Sequence, residues 1–119
     1  MRQPEPPAAY AATFSAVARC ARTGELGATV ATAVVGVGAL VPWIAPGVGA
    51  VCTQAWTNPY LATGVLAGLA RGEDAESALA EALAADPGAG LRQVGAIGAA
   101  GPGVAWTGAD CTGWAGHLA

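Results

Sequence analysis

The chain has no lysine. All five of its basic residues are arginines, at positions 2, 19, 22, 71 and 92, set against eight acidic residues in 119, and charged residues make up only 11% of the whole. With a net charge of −3 and the arginines scattered, there is no basic stripe to neutralise phosphates, which argues against nucleic-acid binding. Cysteine is scarce too. Cys20, Cys52 and Cys111 are an odd set without CxxC spacing, which argues against a disulfide framework and against a small zinc module. A Cys3His site completed by His117, the sole histidine, has no support from spacing, so no metal is expected and the thiols read as inert groups in a reducing compartment. Walker, GxSxG, HExxH and dinucleotide-binding signatures are all missing; "GVGAL" and "GVGAV" read as tight turns, and no cofactor is expected. The opening "MRQPEPPAAYAA" has no apolar core of a secretory signal, which points to the cytoplasm. Nor is there a long enough apolar run for a membrane helix: Leu26 to Val41 gives about 16 residues, interrupted by three glycines and stopped by Pro42, where roughly 20 are needed.

What is present is a chain of low charge and mean hydropathy +0.47, a bland surface that calls for cover by another chain or copy, so a homo-oligomer is expected. Residues 1–12 read as a Pro/Ala-rich flexible leader and 13–119 as one domain. "TFSAVARC" alternates, with Thr13, Ser15, Val17 and Arg19 on one side and Phe14, Ala16, Ala18 and Cys20 on the other. With "ARTG" as turn and "ELGATVATAVV" as the return strand it predicts an antiparallel hairpin. The Gly- and Pro-punctuated stretch over 36–49 predicts a loop with at most short extended pieces, and "VGAVCTQAW" a buried strand. Asn58-Pro59 starts a helix ending at Arg71-Gly72; Glu73 and Asp74 start a second, stopped by Asp86-Pro87-Gly88. "LRQVGAIG" and "VAWTG" predict a second hairpin. The fold class is therefore α+β, antiparallel sheet with a helix pair packed on one face.

Few residues carry chemistry. Glu73, Asp74, Glu76 and Glu81 crowd one helix and read as a solvated face. Trp43, Trp56, Trp106 and Trp114 suit either core or cleft lining, and His117 in "WAGH" suits either a surface position near the end of the chain or a site.

The blocks "TFSAVAR", "TGELGATVAT", "VGALVPWIAPGVGAVCTQAWTNP", "ALAADPG", "RQVGAIG" and "TGADCTGWAGH", in order over residues 13 to 117, resemble the DUF1028 family of bacterial and archaeal proteins. The resemblance implies the fold of the N-terminal nucleophile (Ntn) hydrolases, a four-layer αββα sandwich, and with it hydrolysis of an amide bond in a small or peptide-like substrate. By position Thr13 matches the first threonine of the family's opening strand and is the nucleophile candidate; His117 is a weaker catalytic candidate. In Ntn enzymes the α-amino group of the first residue is the base, a role suited to a reference pKa near 8. Thr13 is tied to Ala12, so that role requires removal of the leader. Two positions depart from the family pattern: Cys20 where many members carry Asp, and Thr32-Ala33 where a Lys or Arg often follows. The family also continues past "WAGH", so the chain corresponds to its amino-terminal portion. The competing reading is a truncated, inactive domain that works by association, with Thr13 an ordinary strand residue.

Overall fold

The computed structural model describes residues 13–111 and 113–119, so the expected leader lies outside the described residues. Alternation dictates the first element. β1 (Thr13–Arg19) and β2 (Leu26–Thr32) pair antiparallel from Thr13↔Thr32 to Arg19↔Leu26, each turning alternate residues inward. The turn between them is closed by Cys20 N–H to Glu25 O and Gly24 N–H to Cys20 O, both 2.8 Å, with Gly24 at φ +75°. β2 stops at Thr32, short of the expected Val35. The Thr32 hydroxyl accepts from the Val34 N–H at 3.1 Å, a local bond that competes with the ladder and leaves Val35 exposed.

The second sheet is four-stranded, in the order β3 (Pro42–Ala45), β4 (Gly49–Ala55), β5 (Arg92–Gly98) and β6 (Val104–Thr107), antiparallel throughout. The stretch expected as a loop with at most short extended pieces holds one such piece of four residues, and it pairs as the edge strand of the sheet. Pro42 is tolerated because it opens an edge strand, and Pro46-Gly47 makes the turn to β4, with Val48 N–H on Ala45 O and Gly47 at φ +73°. Between β4 and β5 the chain runs through α1 (Pro59–Ala70) and α2 (Ala75–Ala84). Both helices start where capping chemistry places them: Asn58 accepts from Tyr60 N–H, and Asp74 from Ser77 N–H.

The result is three layers. The helices cover one face of the four-stranded sheet, where Val51, Val94 and Ala96 meet Leu61, Ala62, Val65, Ala78 and Leu79 in the main core. Small residues let the helices close on each other: a Cβ added at Gly68 would stand 2.8 Å from the Ala78 Cβ. The β1–β2 hairpin lies on the opposite face, where the Cys52 thiol reaches the carbonyls of Ala16 and Thr29. Buried on both faces, β4 is the central strand, which explains its unbroken burial from Gly49 to Gln54. The structure is α+β with antiparallel sheets and two helices, the strands being divided between two sheets that meet face to face.

Candidate functional site

The inward face of β1 begins with Thr13, and its antiparallel register sets Thr13 opposite Thr32, hydroxyl to hydroxyl at 3.0 Å. Beneath them β4 and β5 pair Gln54 with Gln93. The Gln54 Nε2 donates to the Thr13 carbonyl at 3.1 Å and to the Gln93 Oε1 at 2.6 Å. The Gln93 Nε2 donates in turn to the Thr107 hydroxyl at 3.0 Å and to the Gly116 carbonyl at 2.8 Å. Thr107 Oγ1 lies 2.9 Å from His117 Nδ1. One hydrogen-bonded chain therefore runs Thr32, Thr13, Gln54, Gln93, Thr107, His117, crossing from the hairpin to the last described residues.

Gln54 is only 7% exposed, and its Oε1 has no hydrogen-bond partner among the described residues. Leaving a buried acceptor unpaired costs about 1–3 kcal/mol, so such atoms are rare and call for an explanation.

Thr13 and His117, the two site residues expected from sequence, are joined by this network without touching. Two carboxamides stand between them, and a carboxamide holds a partner in place without taking up or releasing protons near neutral pH. Among the described residues the Thr13 hydroxyl pairs with Thr32 and the His117 ring with Thr107, with no direct hydrogen bond between the two. Together with the Gly116 carbonyl His117 fastens the end of the chain to β5 and β6.

A second polar cluster holds the same end of the sheet. Arg92, the first residue of β5, makes a two-point pair with Asp86, Nε to Oδ2 at 2.8 Å and Nη2 to Oδ1 at 3.2 Å, and its Nη1 donates to the Trp56 carbonyl at 2.6 Å. Asp86 also accepts from Gly88 N–H and Asn58 Nδ2. The Arg92 guanidinium, with the further donors, holds the Asp86 carboxyl down at about 2. Between the two clusters Ala55 adopts φ +68°, a left-handed conformation that is costly for a residue with a Cβ.

Other candidates separate from this region. Burial pushes the Cys52 thiol up, as befits an inert group, whereas hydrogen bonds from Thr23 lower that of Cys20. No three His, Cys, Asp or Glu side chains come together as metal ligands among the described residues. Glu73 and Glu81 pair with Arg71 and Asp74 caps α2, so the acidic helix serves structure. Trp43 packs against the core, while Trp56, Trp106 and Trp114 are exposed. No helix among the described residues is long and apolar enough to cross a membrane. A depression of about 260 Å³ lies at the opposite end of the sheet, lined by Val48, Leu69, Glu73, Gly98 and neighbours, and includes no member of the Thr13 network.

Sequence reasoning missed Gln54, Gln93 and Thr107 and noted Thr32 only as a departure from the family pattern. The available signal was a glutamine inside each of two mostly apolar strand runs, since an amide is buried only with partners.

Residues 13–119 match the family of unknown function DUF1028. The crystal structure of protein SPO2555 from Silicibacter pomeroyi, itself assigned to DUF1028, superposes with a TM-score of 0.79 at 30% identity, over 83% of this chain and 46% of SPO2555. The chain thus spans less than half the length of that relative. No curated protein matches it. The match over nearly the whole chain and the shared fold make the protein a member of the DUF1028 family.

Proposed function

We propose that this chain carries the nucleophile of an Ntn-type amide hydrolase and that Thr13, freed of the residues before it, is that nucleophile. The observation that carries the reading is the setting of Thr13. It heads the first strand, with its hydroxyl against Thr32 and its carbonyl held by a buried glutamine in the polar space between the sheets. Once the bond to Ala12 is hydrolysed, the α-amino group takes the proton of the Thr13 hydroxyl as its oxygen attacks a substrate amide carbon. The proton passes to the departing amine, leaving an ester on Thr13 that water hydrolyses. While Thr13 is acylated by Ala12 its nitrogen is a planar amide without a basic lone pair, and the reaction has no base. The three layers seen here, hairpin, sheet and helices, would make up three of the four in an αββα sandwich. Substrates of this reading are small amides or peptide-like molecules. It is tested by the intact mass of the protein purified from its native host: the reading expects a chain beginning at Thr13, and a population that wholly retains residues 1–12 overturns it.

One observation favours a second reading, a domain acting through self-association. The outer face of the hairpin carries Phe14, 70% exposed, among the exposed small residues Ala16, Ala18, Gly27 and Ala31, a surface that suits another chain's apolar side.

A further inference from the structure

Resting on that reading of Thr13, we propose that Gln54 is the positioning residue for its amine, the unpaired Oε1 being the acceptor that the α-ammonium of a trimmed chain fills. The orientation of Gln54 is set by chemistry at both ends of its network. The Gly116 and Thr13 carbonyls can only accept, so Gln93 must turn its Nε2 to Gly116, which leaves its Oε1 for Gln54. Turning the Gln54 amide over would set its oxygen against two acceptors. Its Nε2 is therefore committed to Thr13 O and Gln93 Oε1, and its Oε1, on the same carbon, is left beside Thr13 without a donor.

Thr13 is the residue that can supply one. In an extended strand the N–H and C=O of one residue face the same side, as they must to exchange both bonds with an opposite residue. The Thr13 carbonyl faces Gln54, so its nitrogen does as well. In the uncut chain that nitrogen has a single N–H, fixed in the peptide plane, and it does not pair with Oε1. Hydrolysis of the Ala12–Thr13 bond consumes one water and yields the Ala12 carboxylate and the Thr13 amine. Protonated, this amine has three N–H donors and turns freely about N–Cα. One donor satisfies Oε1, and the amine is held beside its own hydroxyl, which Thr32 holds from the other side.

The composition makes the test clean. With no lysine, the α-amino group is the only primary amine in these 119 residues. The full chain is folded with its leader, trimmed to begin at Thr13, and acylated with acetic anhydride across pH, so that the rate profile reports the amine pKa. A neutral acceptor stabilises the ammonium form. Relative to the trimmed wild type, Gln54→Met should lower that pKa by about half to one unit, a roughly 3- to 10-fold change in the ionisation constant, while Gln54→Glu should raise it. A merely structural Gln54 would not split the two variants in opposite directions. Should either variant fail to fold, the wild type decides alone: its amine pKa should be higher folded than in concentrated urea. Equal values in both states, or shifts of the same sign in both variants, overturn the assignment. The readout needs no substrate. A shifted pKa without acylation of the Thr13 hydroxyl leaves Gln54 its role and removes the nucleophile, whereas Thr13 acylation with an unmoved pKa does the reverse.

Discussion

Replacing Asp86 by alanine should be among the most damaging single changes in the protein. The Asp86 side chain is 5% exposed and accepts from Arg92 twice, from Gly88 N–H and from Asn58 Nδ2, so it ties the end of α2 to the cap of α1 and the start of β5. Arg92, 17% exposed, would be left charged with the Trp56 carbonyl as its remaining partner. Breaking a fully buried pair from one side costs about 3–5 kcal/mol; for this part-buried pair the loss should be about 1–3 kcal/mol, against a total stability of roughly 5–15 kcal/mol for a domain. Asp86→Asn keeps the shape and one acceptor and should cost less. The pH dependence gives the sharper test. Because the carboxyl is held down at about 2 in the fold, against 3.8 ordinarily, its contribution is complete above the ordinary value and is lost as pH falls towards 2. Allowing for solvent screening, this amounts to about 1–2 kcal/mol. Urea unfolding of the wild type and Asp86→Asn from pH 6 to pH 2 should show a stability gap that is constant down to about pH 4 and then shrinks. A gap that stays constant to pH 2, or an Asp86→Ala loss below about 1 kcal/mol, would show that the Asp86–Arg92 pair does not hold this end of the sheet.

Two further outcomes follow from packing and surface. Gly68→Ala should lose about 1–3 kcal/mol in thermal or urea unfolding, because its Cβ would meet the Ala78 Cβ at 2.8 Å and its Cα at 3.3 Å where two helices are already in contact. If the hairpin's outer face is an association surface, sedimentation at micromolar concentrations should show a dimer or larger species that Phe14→Glu returns to monomer; a wild-type monomer throughout that range contradicts the second reading.

Local rules were legible in the residues themselves. Alternation from Thr13 to Arg19 fixed which side chains turn inward, and Asn58 and Asp74 cap the helices as their chemistry demands. The edge strand at Pro42–Ala45 was hidden because prolines and glycines normally end strands, and only the position of the strand at the sheet edge makes Pro42 harmless. The division into two sheets was implied by the family resemblance but hidden from local pattern, because which face of a strand meets which partner depends on contacts far apart in sequence. The site follows the same line. Thr13 stands out as the first residue of the opening strand, and its pairing with Thr32 follows from the hairpin. The Gln54–Gln93 contact comes from the β4–β5 register, set by a helix pair between the strands, and is invisible to local pattern.

Covalent labelling is the sharpest test of the proposal that Thr13 becomes a nucleophile when its nitrogen becomes a free amine. Protein folded with its leader, then trimmed to Thr13, is treated with an electrophilic acyl-type probe beside the untrimmed chain and a trimmed Thr13→Ala control, and the adduct is located by peptide mass. An ester on the Thr13 hydroxyl is expected in the trimmed protein alone. Absence of that adduct, or equal labelling in the untrimmed chain, would contradict the proposal.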